Sequence, residues 1–222
     1  MTRVEKQSVG SRRPPDVAQL SWPVIPVPRL EREDSRTRLV EAAEQLMREE
    51  GYAAVTSRRV AAKAGLKPQL VHYYFSTMDD LFLAVMHRGI EQNNEFLARA
   101  LASAQPLQAL WEFAFNPQIA VMSAEFAALA NHRKSIRAQI ASYGKQLREV
   151  QISATARVLK ANGVSRDVCP PAALAIITDL VARGLVSEAA VGMSRGHAET
   201  IALMKRYLRK FAGLGVREDR SK

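Results

Sequence analysis

The segment between Glu50 and Asp79 carries four basic side chains and no acidic one. The basic residues are Arg58, Arg59, Lys63 and Lys67. Guanidinium and ammonium groups are hydrogen-bond donors that bind phosphate and carboxylate oxygens. The segment also holds amide and ring groups that can hydrogen-bond to a polar surface, namely Gln69, His72, Tyr73 and Tyr74. These residue types favour binding to a polyanion over catalysis.

Groups that could perform covalent or acid–base chemistry do not form a recognisable set elsewhere in the chain. The motifs GxGxxG, HExxH and GxxxxGK[ST] are absent. The chain has one cysteine, Cys169, and four scattered histidines, so no Cys/His cluster has metal-ligand spacing. We therefore expect neither an enzyme nor a metal or cofactor site.

The composition limits the compartment and the partners. The chain has 222 residues, 47% of them hydrophobic, and a formal charge of +10, an excess that attracts nucleic acid or an acidic membrane surface. Residues 1–15 lead into no apolar core, so a signal peptide is not expected. The most apolar stretch, 172–192, is interrupted by Asp179, Arg183 and Glu188, which favours a buried helix over a membrane span. With a single thiol, the chain is expected to be cytoplasmic and without membrane contact.

Residues 1–33 differ in composition from the rest of the chain. They contain five of the ten prolines and show no sustained apolar period. We interpret them as a flexible, basic, proline-rich arm. Its cationic residues are either solvated or additional contacts to a nucleic-acid backbone; they are Arg3, Lys6, Arg12 and Arg13. Residues 216–222 are interpreted as a tail.

Three helices are predicted over residues 34–80. A helical apolar period precedes Gly51, Thr56 or Ser57 can cap a short helix through Ala64, and a third short helix is expected from Pro68 to about Tyr74. Gly65 supplies the turn between the second and third helices. Two short helices joined by a glycine turn, with a longer helix in front, form a helix-turn-helix.

The remaining residues are predicted to be helical throughout, with no strand alternation. Six further helices are expected, over 79–103, 106–113, 117–130, 133–161, 171–192 and 197–212. The predicted fold is therefore all-α, with about nine helices. A three-helix head over 34–80 precedes a larger helical bundle over 81–215.

A helix-turn-helix places its second helix in the major groove of DNA while the preceding helix crosses the phosphates. In this arrangement Arg58 and Arg59 can bind phosphate. Lys67 lies at the start of the helix that enters the groove, the recognition helix. Gln69 can contact a base edge and Leu70 a thymine methyl. His72, Tyr73 and Tyr74 have polar tips suited to phosphate. The alternative is a solvated basic face with Tyr74 partly in the core.

Residues 36–82 resemble the DNA-binding head of TetR-family transcriptional regulators. The shared features are an AA-x-x-L helix, a glycine, a threonine before the second helix, a VA-x-x-AG core, a short helix ending in an aromatic residue and Phe, and an acidic x-x-DDL. The resemblance assigns roles to nine residues. Thr56, Ser57 and Arg58 fall at phosphate or groove-edge positions, Lys67, Pro68, Gln69 and Leu70 at base-reading positions, and His72 with Tyr74 at further phosphate positions. His72, Tyr74 and Met78 depart from the usual Tyr, His and Lys.

The resemblance implies a sequence-specific regulator, expected to be a repressor, that binds a palindromic operator as a homodimer and is released by a small molecule. Bulky residues concentrate in the middle of the bundle and suggest the ligand pocket: Trp111, Phe115, Met122, Phe126 and Tyr143, with Phe113 among them. Apolar seams on the last two helices suggest the dimer interface: Ile177, Val181, Leu185, Ile201, Met204 and Leu208. The alternative for these seams is closure of the monomer's own core.

Two other functions remain open at this point. A basic architectural protein would coat DNA without sequence preference, and an all-helical adaptor would bind a protein partner and no DNA. The basic residues of 133–160 either favour an anionic ligand or form a solvated face.

Overall fold

The computed structural model describes residues 34–213, and within that range it contains nine α-helices and no strand. The all-α prediction is confirmed, and the helix ends lie within two residues of those predicted, apart from the start of the first helix, for which only its apolar period was given. The proposed arm over 1–33, with Arg3, Lys6, Arg12 and Arg13, and the tail over 216–222 lie outside the described residues. No described helix is both long enough and apolar enough to cross a membrane.

The head consists of α1 (Asp34–Glu50), a single 3-10 turn (Tyr52–Ala54), α2 (Ser57–Ala64) and α3 (Gln69–Tyr74). Thr56 caps α2, since its hydroxyl accepts the Arg59 N–H at 3.4 Å. Gly65 ends α2 in the left-handed conformation, with φ of 66°, which a residue with a Cβ adopts only at a cost. Pro68 lies just before α3 rather than within it.

Helix α4 (Met78–Ala102) connects the head to the body. Thr77 and Asp80 form a capping box at its start, in which each side chain accepts the other residue's backbone N–H, at 2.8 and 3.1 Å. The body contains α5 (Pro106–Ala114), α6 (Pro117–His132), α7 (Lys134–Ala161), α8 (Pro171–Ala190) and α9 (His197–Phe211). The long α4 therefore belongs to both parts of the molecule.

One hydrophobic core, the head core, extends from the head into the body. Its buried members include Leu39 of α1, Val60 of α2 and Val71 of α3, and it continues to Phe126 of α6 and Ile136 of α7. The boundary proposed at residue 80 is thus not a break in packing. A change in α6 or α7 can reach the helix-turn-helix through direct side-chain contact.

A second core, the body core, joins α5, α7, α8 and α9, and it corrects part of the dimer prediction. Leu185, Met204 and Leu208 are buried within this protomer core, and Val181 and Ile201 pack against it. Only Ile177 of the predicted interface set is exposed, with 50% of its surface accessible. Because α8 carries apolar residues all around its circumference, sequence periodicity alone did not identify its outward side.

Candidate DNA-binding surface and ligand cavity

The structure brings the predicted DNA-contacting residues together on the surface of α2 and α3. Most of their side chains are exposed: Thr56, Arg58, Arg59, Lys67, Pro68, Gln69, His72 and Tyr73. Ser57, Leu70 and Tyr74 are half-buried, and the last two pack against the head core. Tyr73 is 77% exposed and contacts the Tyr74 ring edge-on at a centroid distance of 4.9 Å. Helix α3 is thus held against the head core by Leu70 and Tyr74, while its other polar side chains remain exposed.

Two of the four basic residues in this segment are neutralised by α1. Arg59 donates to both carboxylate oxygens of Glu50, at 2.5 and 2.6 Å, and Lys63 donates to Glu49 at 2.7 Å. Hydrogen bonds from Arg59 and Lys63 lower the pKa of Glu50 and Glu49 respectively. The positive field expected from sequence was therefore overestimated, because helix packing brings these acids beside it.

Arg58 and Lys67 are the cations that keep an uncompensated charge on this surface. Both are exposed, and neither has a carboxylate within salt-bridge distance among residues 34–213. The assignment of Arg59 to phosphate stays a prediction, and in this structure its guanidinium is bound by Glu50. The Thr56 and Arg58 positions flank the N-terminus of α2, where backbone N–H groups also favour an anion.

Helix α1 holds the helix-turn-helix in place from behind. The Arg38 guanidinium donates to the Ala64 carbonyl at 2.5 Å, which satisfies an acceptor at the C-terminus of α2. The Arg36 guanidinium lies 5.0 Å from the centroid of the Phe75 ring, directly after α3. Both short helices are thereby fixed to the long one.

A cavity of about 430 Å³ lies between α4, α5, α6, α7 and α8, with α1 at one end. Met122, Phe126 and Tyr143, three residues of the predicted ligand pocket, line this cavity. Trp111 and Phe115 do not, because they stack on each other at 5.5 Å in the body core. These two residues are removed from the candidate pocket.

Sequence reasoning missed the contribution of α4 to this cavity. Lining residues recur along α4 at helical spacing, at Val85, Met86, Gly89, Ile90, Asn93, Phe96 and Arg99. Phe96 contacts Phe113, with ring centroids 5.6 Å apart, and both rings line the cavity. The helical period of α4 was visible in the sequence, but nothing in it showed that this side faces a cavity. The Tyr143 hydroxyl hydrogen-bonds to Asn93, and burial raises the pKa of Tyr143.

One carboxylate on α6, a helix that lines the cavity, accepts a hydrogen bond from the head. Glu125 lies on α6 between lining residues Met122 and Phe126, and its Oε2 accepts the backbone N–H of Tyr52 at 2.7 Å. Gly51, with φ of 84°, lies directly against it, since a Cβ there would come within 3.3 Å of that oxygen. The turn leading into the helix-turn-helix is thus held by the helix that walls the cavity.

Helices α8 and α9 each carry exposed large apolar side chains, and we call these residues together the α8–α9 face. Its members are Ile176, Ile177, Leu180, Leu203 and Tyr207. They follow helical spacing on each element, and Tyr207 stacks on Phe211 at 6.2 Å. A face of this kind marks an interaction site more often than a solvated surface.

The loop between α8 and α9 contains a sequence pattern that resembles a catalytic motif. Residues 192–196 read Gly-Met-Ser-Arg-Gly, which fits GxSxG. A nucleophile elbow needs a strand before the serine, whereas here the residues form the loop between α8 and α9. His197 binds Glu188, Nε2 to Oε2 at 2.9 Å, and within this described loop no hydrogen bond joins its ring to Ser194. The two glycines, both at positive φ, mark a turn.

Comparison with known proteins agrees with the fold and the head. Residues 39–85 match the model of the bacterial regulatory proteins of the TetR family. The transcriptional regulator BetI of Rhizobium meliloti is 25% identical over 183 residues, which span 78% of this chain and 89% of the relative. BetI of Brucella canis is 34% identical over 79 residues, or 35% of this chain and 40% of the relative.

A solved TetR transcription regulator from Haloarcula marismortui has the same fold. It superposes with a TM-score of 0.64 over 82% of this chain and 97% of its own, at 20% sequence identity. The helix-turn-helix head, the all-helical body and these similarities together support a DNA-binding transcriptional regulator of the TetR family.

Proposed function

We propose that this regulator binds a palindromic operator as a homodimer and that a small molecule in the cavity releases it, so that it acts as a repressor. The observation that carries the proposal is a shared set of side chains. Val85, Met86, Ile90 and Phe126 line the cavity and also belong to the head core. A ligand in the cavity would therefore touch the packing that positions α2 and α3.

The DNA-binding part rests on the exposed face of α3. With α3 in the major groove, Gln69 would meet a base edge and Lys67 a base or the nearby backbone, while Arg58 would bind phosphate across α2. His72 and Tyr73 would contact the backbone beside them. Members of the family are transcription factors rather than enzymes. The proposal also places the protein in the cytoplasm.

The homodimer rests on the α8–α9 face. A two-fold axis through this face would set Ile176, Leu180 and Tyr207 against the same residues of a second copy. Burial of such side chains contributes roughly 25 cal/mol per Å² of apolar area removed from water. Two heads fixed in this way can match two half-sites on one side of the duplex.

The response to a ligand rests on differential affinity. A molecule lowers operator binding only if it prefers the conformation in which the heads no longer fit the groove. A tenfold loss of operator affinity requires about 1.4 kcal/mol of such preference. The Glu125 to Tyr52 contact and the shared head core supply a physical connection between the two sites.

Selection of duplexes from a random pool by the full chain tests the proposal. We expect enrichment of an inverted repeat, bound with affinity at least a hundredfold above that of a scrambled duplex at the same salt concentration. Equal affinity for selected and scrambled duplexes would instead support an architectural protein. Absence of DNA binding at low salt would support an adaptor.

A further inference from the structure

The cavity is elongated, and its charged residues lie at its two ends. Helix α4 lines it from Val85 to Arg99, a distance of about 21 Å along the helix axis. Aromatic rings occupy the middle, contributed by Phe96, Phe113, Phe126 and Tyr143. The end beside the head contains Glu44 and Arg48, and the opposite end contains Arg99, Asp179 and Arg183.

The charges at the end beside the head are balanced. Glu44 accepts from Arg48 and from Arg88, the latter at 3.2 Å. Arg88 also binds Glu41 at 2.7 Å. Two guanidinium groups thus face two carboxylates, and this end has no excess charge to attract an ion.

The charges at the opposite end are not balanced. The buried carboxylate of Asp179 binds Arg148 at 3.0 Å and also Arg183. Arg99 adds a third guanidinium, and within the described residues no carboxylate reaches it, not even Glu95 one turn earlier on α4. Guanidinium groups therefore outnumber carboxylates here by three to one, and Arg183 retains further N–H donors.

We propose that the cavity takes an elongated amphipathic anion, with its apolar body between the aromatic rings and its anionic group at Arg99 and Arg183. This inference rests on the proposed effector site and names the class of molecule that occupies it. A carboxylate or similar group would accept from guanidinium donors that Asp179 leaves unused. A cationic ligand would meet the excess positive charge and would have to compete with two arginines for the one aspartate.

Three probes with the same chain length separate the charge classes: decanoate, decanol and decyltrimethylammonium. Each is titrated calorimetrically into the full chain, the two ions below their critical micelle concentrations and decanol below its solubility limit. We expect decanoate to bind at least tenfold more tightly than decanol, and the cation to bind weakest. Affinity for the cation equal to or above that for decanoate would overturn the proposal.

Substitution of Arg99 identifies the head-group site. Arg99→Gln should weaken decanoate binding about tenfold and leave decanol binding unchanged, while Arg99→Lys should restore most of the affinity. Arg166→Gln, which removes an exposed arginine in the loop before α8, controls for net charge. Equal loss in the Arg99 and Arg166 variants would contradict a specific contact, as would no loss in either.

The same preparations, tested on the selected duplex, separate this inference from the proposed function. A protein that binds the duplex but prefers decanol or the cation contradicts the anionic ligand class alone. A protein that binds decanoate through Arg99 but has no preferred duplex contradicts the proposed operator function alone.

Discussion

Arg58 and Arg59 are adjacent in sequence, but only Arg59 forms an ion pair among residues 34–213, with Glu50. Arg58 keeps its charge available, so Arg58→Ala should weaken binding to all duplexes by a similar factor. The slope of log affinity against log salt should fall by about one, because one fewer counterion is released. Titrations of selected and scrambled duplexes across a salt series measure both quantities. A loss confined to the selected duplex would place Arg58 in base recognition instead.

Arg59 is expected to contribute to DNA binding only when its ion pair is released. In Glu50→Gln the guanidinium loses its carboxylate partner, so affinity for every duplex should rise and the salt slope should increase. Folding should change little, because the pair is exposed and such pairs contribute little to stability. An unchanged salt slope in this variant would show that Arg59 does not reach the DNA.

Gln69 tests base recognition. Gln69→Ala should reduce the free energy of binding to the selected duplex by about 1 to 3 kcal/mol, with little effect on a scrambled duplex. Competition binding at fixed salt measures the difference. Equal loss on the two duplexes would remove Gln69 from the base contacts.

At the scale of elements, helix bounds were predictable and helix orientation was not. Helices end or begin at Gly51, Gly65 and Pro171, or within one residue of them. Glycine and proline mark these points because they impose local backbone conformations. The side of α8 that faces outward depends on packing against α5 and α7, which no local pattern encodes. The same limit explains why Trp111 was assigned to the cavity and Glu50 was not paired with Arg59.

A charged residue introduced into the α8–α9 face tests whether that face is the dimer interface. Leu180→Glu should yield monomers with reduced affinity for the palindromic duplex, because a dimer would bury an unpaired carboxylate. Val168→Glu, at an exposed apolar residue outside the face, should remain dimeric. Light scattering at micromolar concentration measures both. A dimeric Leu180→Glu variant would contradict the proposed interface; Leu208→Glu is unsuitable, since Leu208 lies in the body core.

A displacement of α6 is expected to move the turn at Tyr52 through the hydrogen bond that Glu125 accepts. Glu125→Ala removes the acceptor for the Tyr52 N–H, so exchange of that amide with deuterium should accelerate, while Glu125→Gln retains an acceptor and should exchange nearly as slowly as the original. Mass spectrometry of the peptide around Tyr52 reports the rate. Unchanged exchange in the alanine variant would show that the contact does not hold the turn.

At the scale of the whole molecule, the cavity and the DNA-binding surface share one continuous core, and the two sites must affect each other equally. If decanoate lowers affinity for the selected duplex tenfold, saturating duplex must lower affinity for decanoate tenfold, a coupling of about 1.4 kcal/mol in both directions. Calorimetric titration of decanoate with and without the duplex measures the second factor. Scrambled duplex at the same concentration serves as the control and should have little effect. A decanoate affinity unchanged by the selected duplex would show that the cavity is not coupled to the operator, however tightly the anion binds.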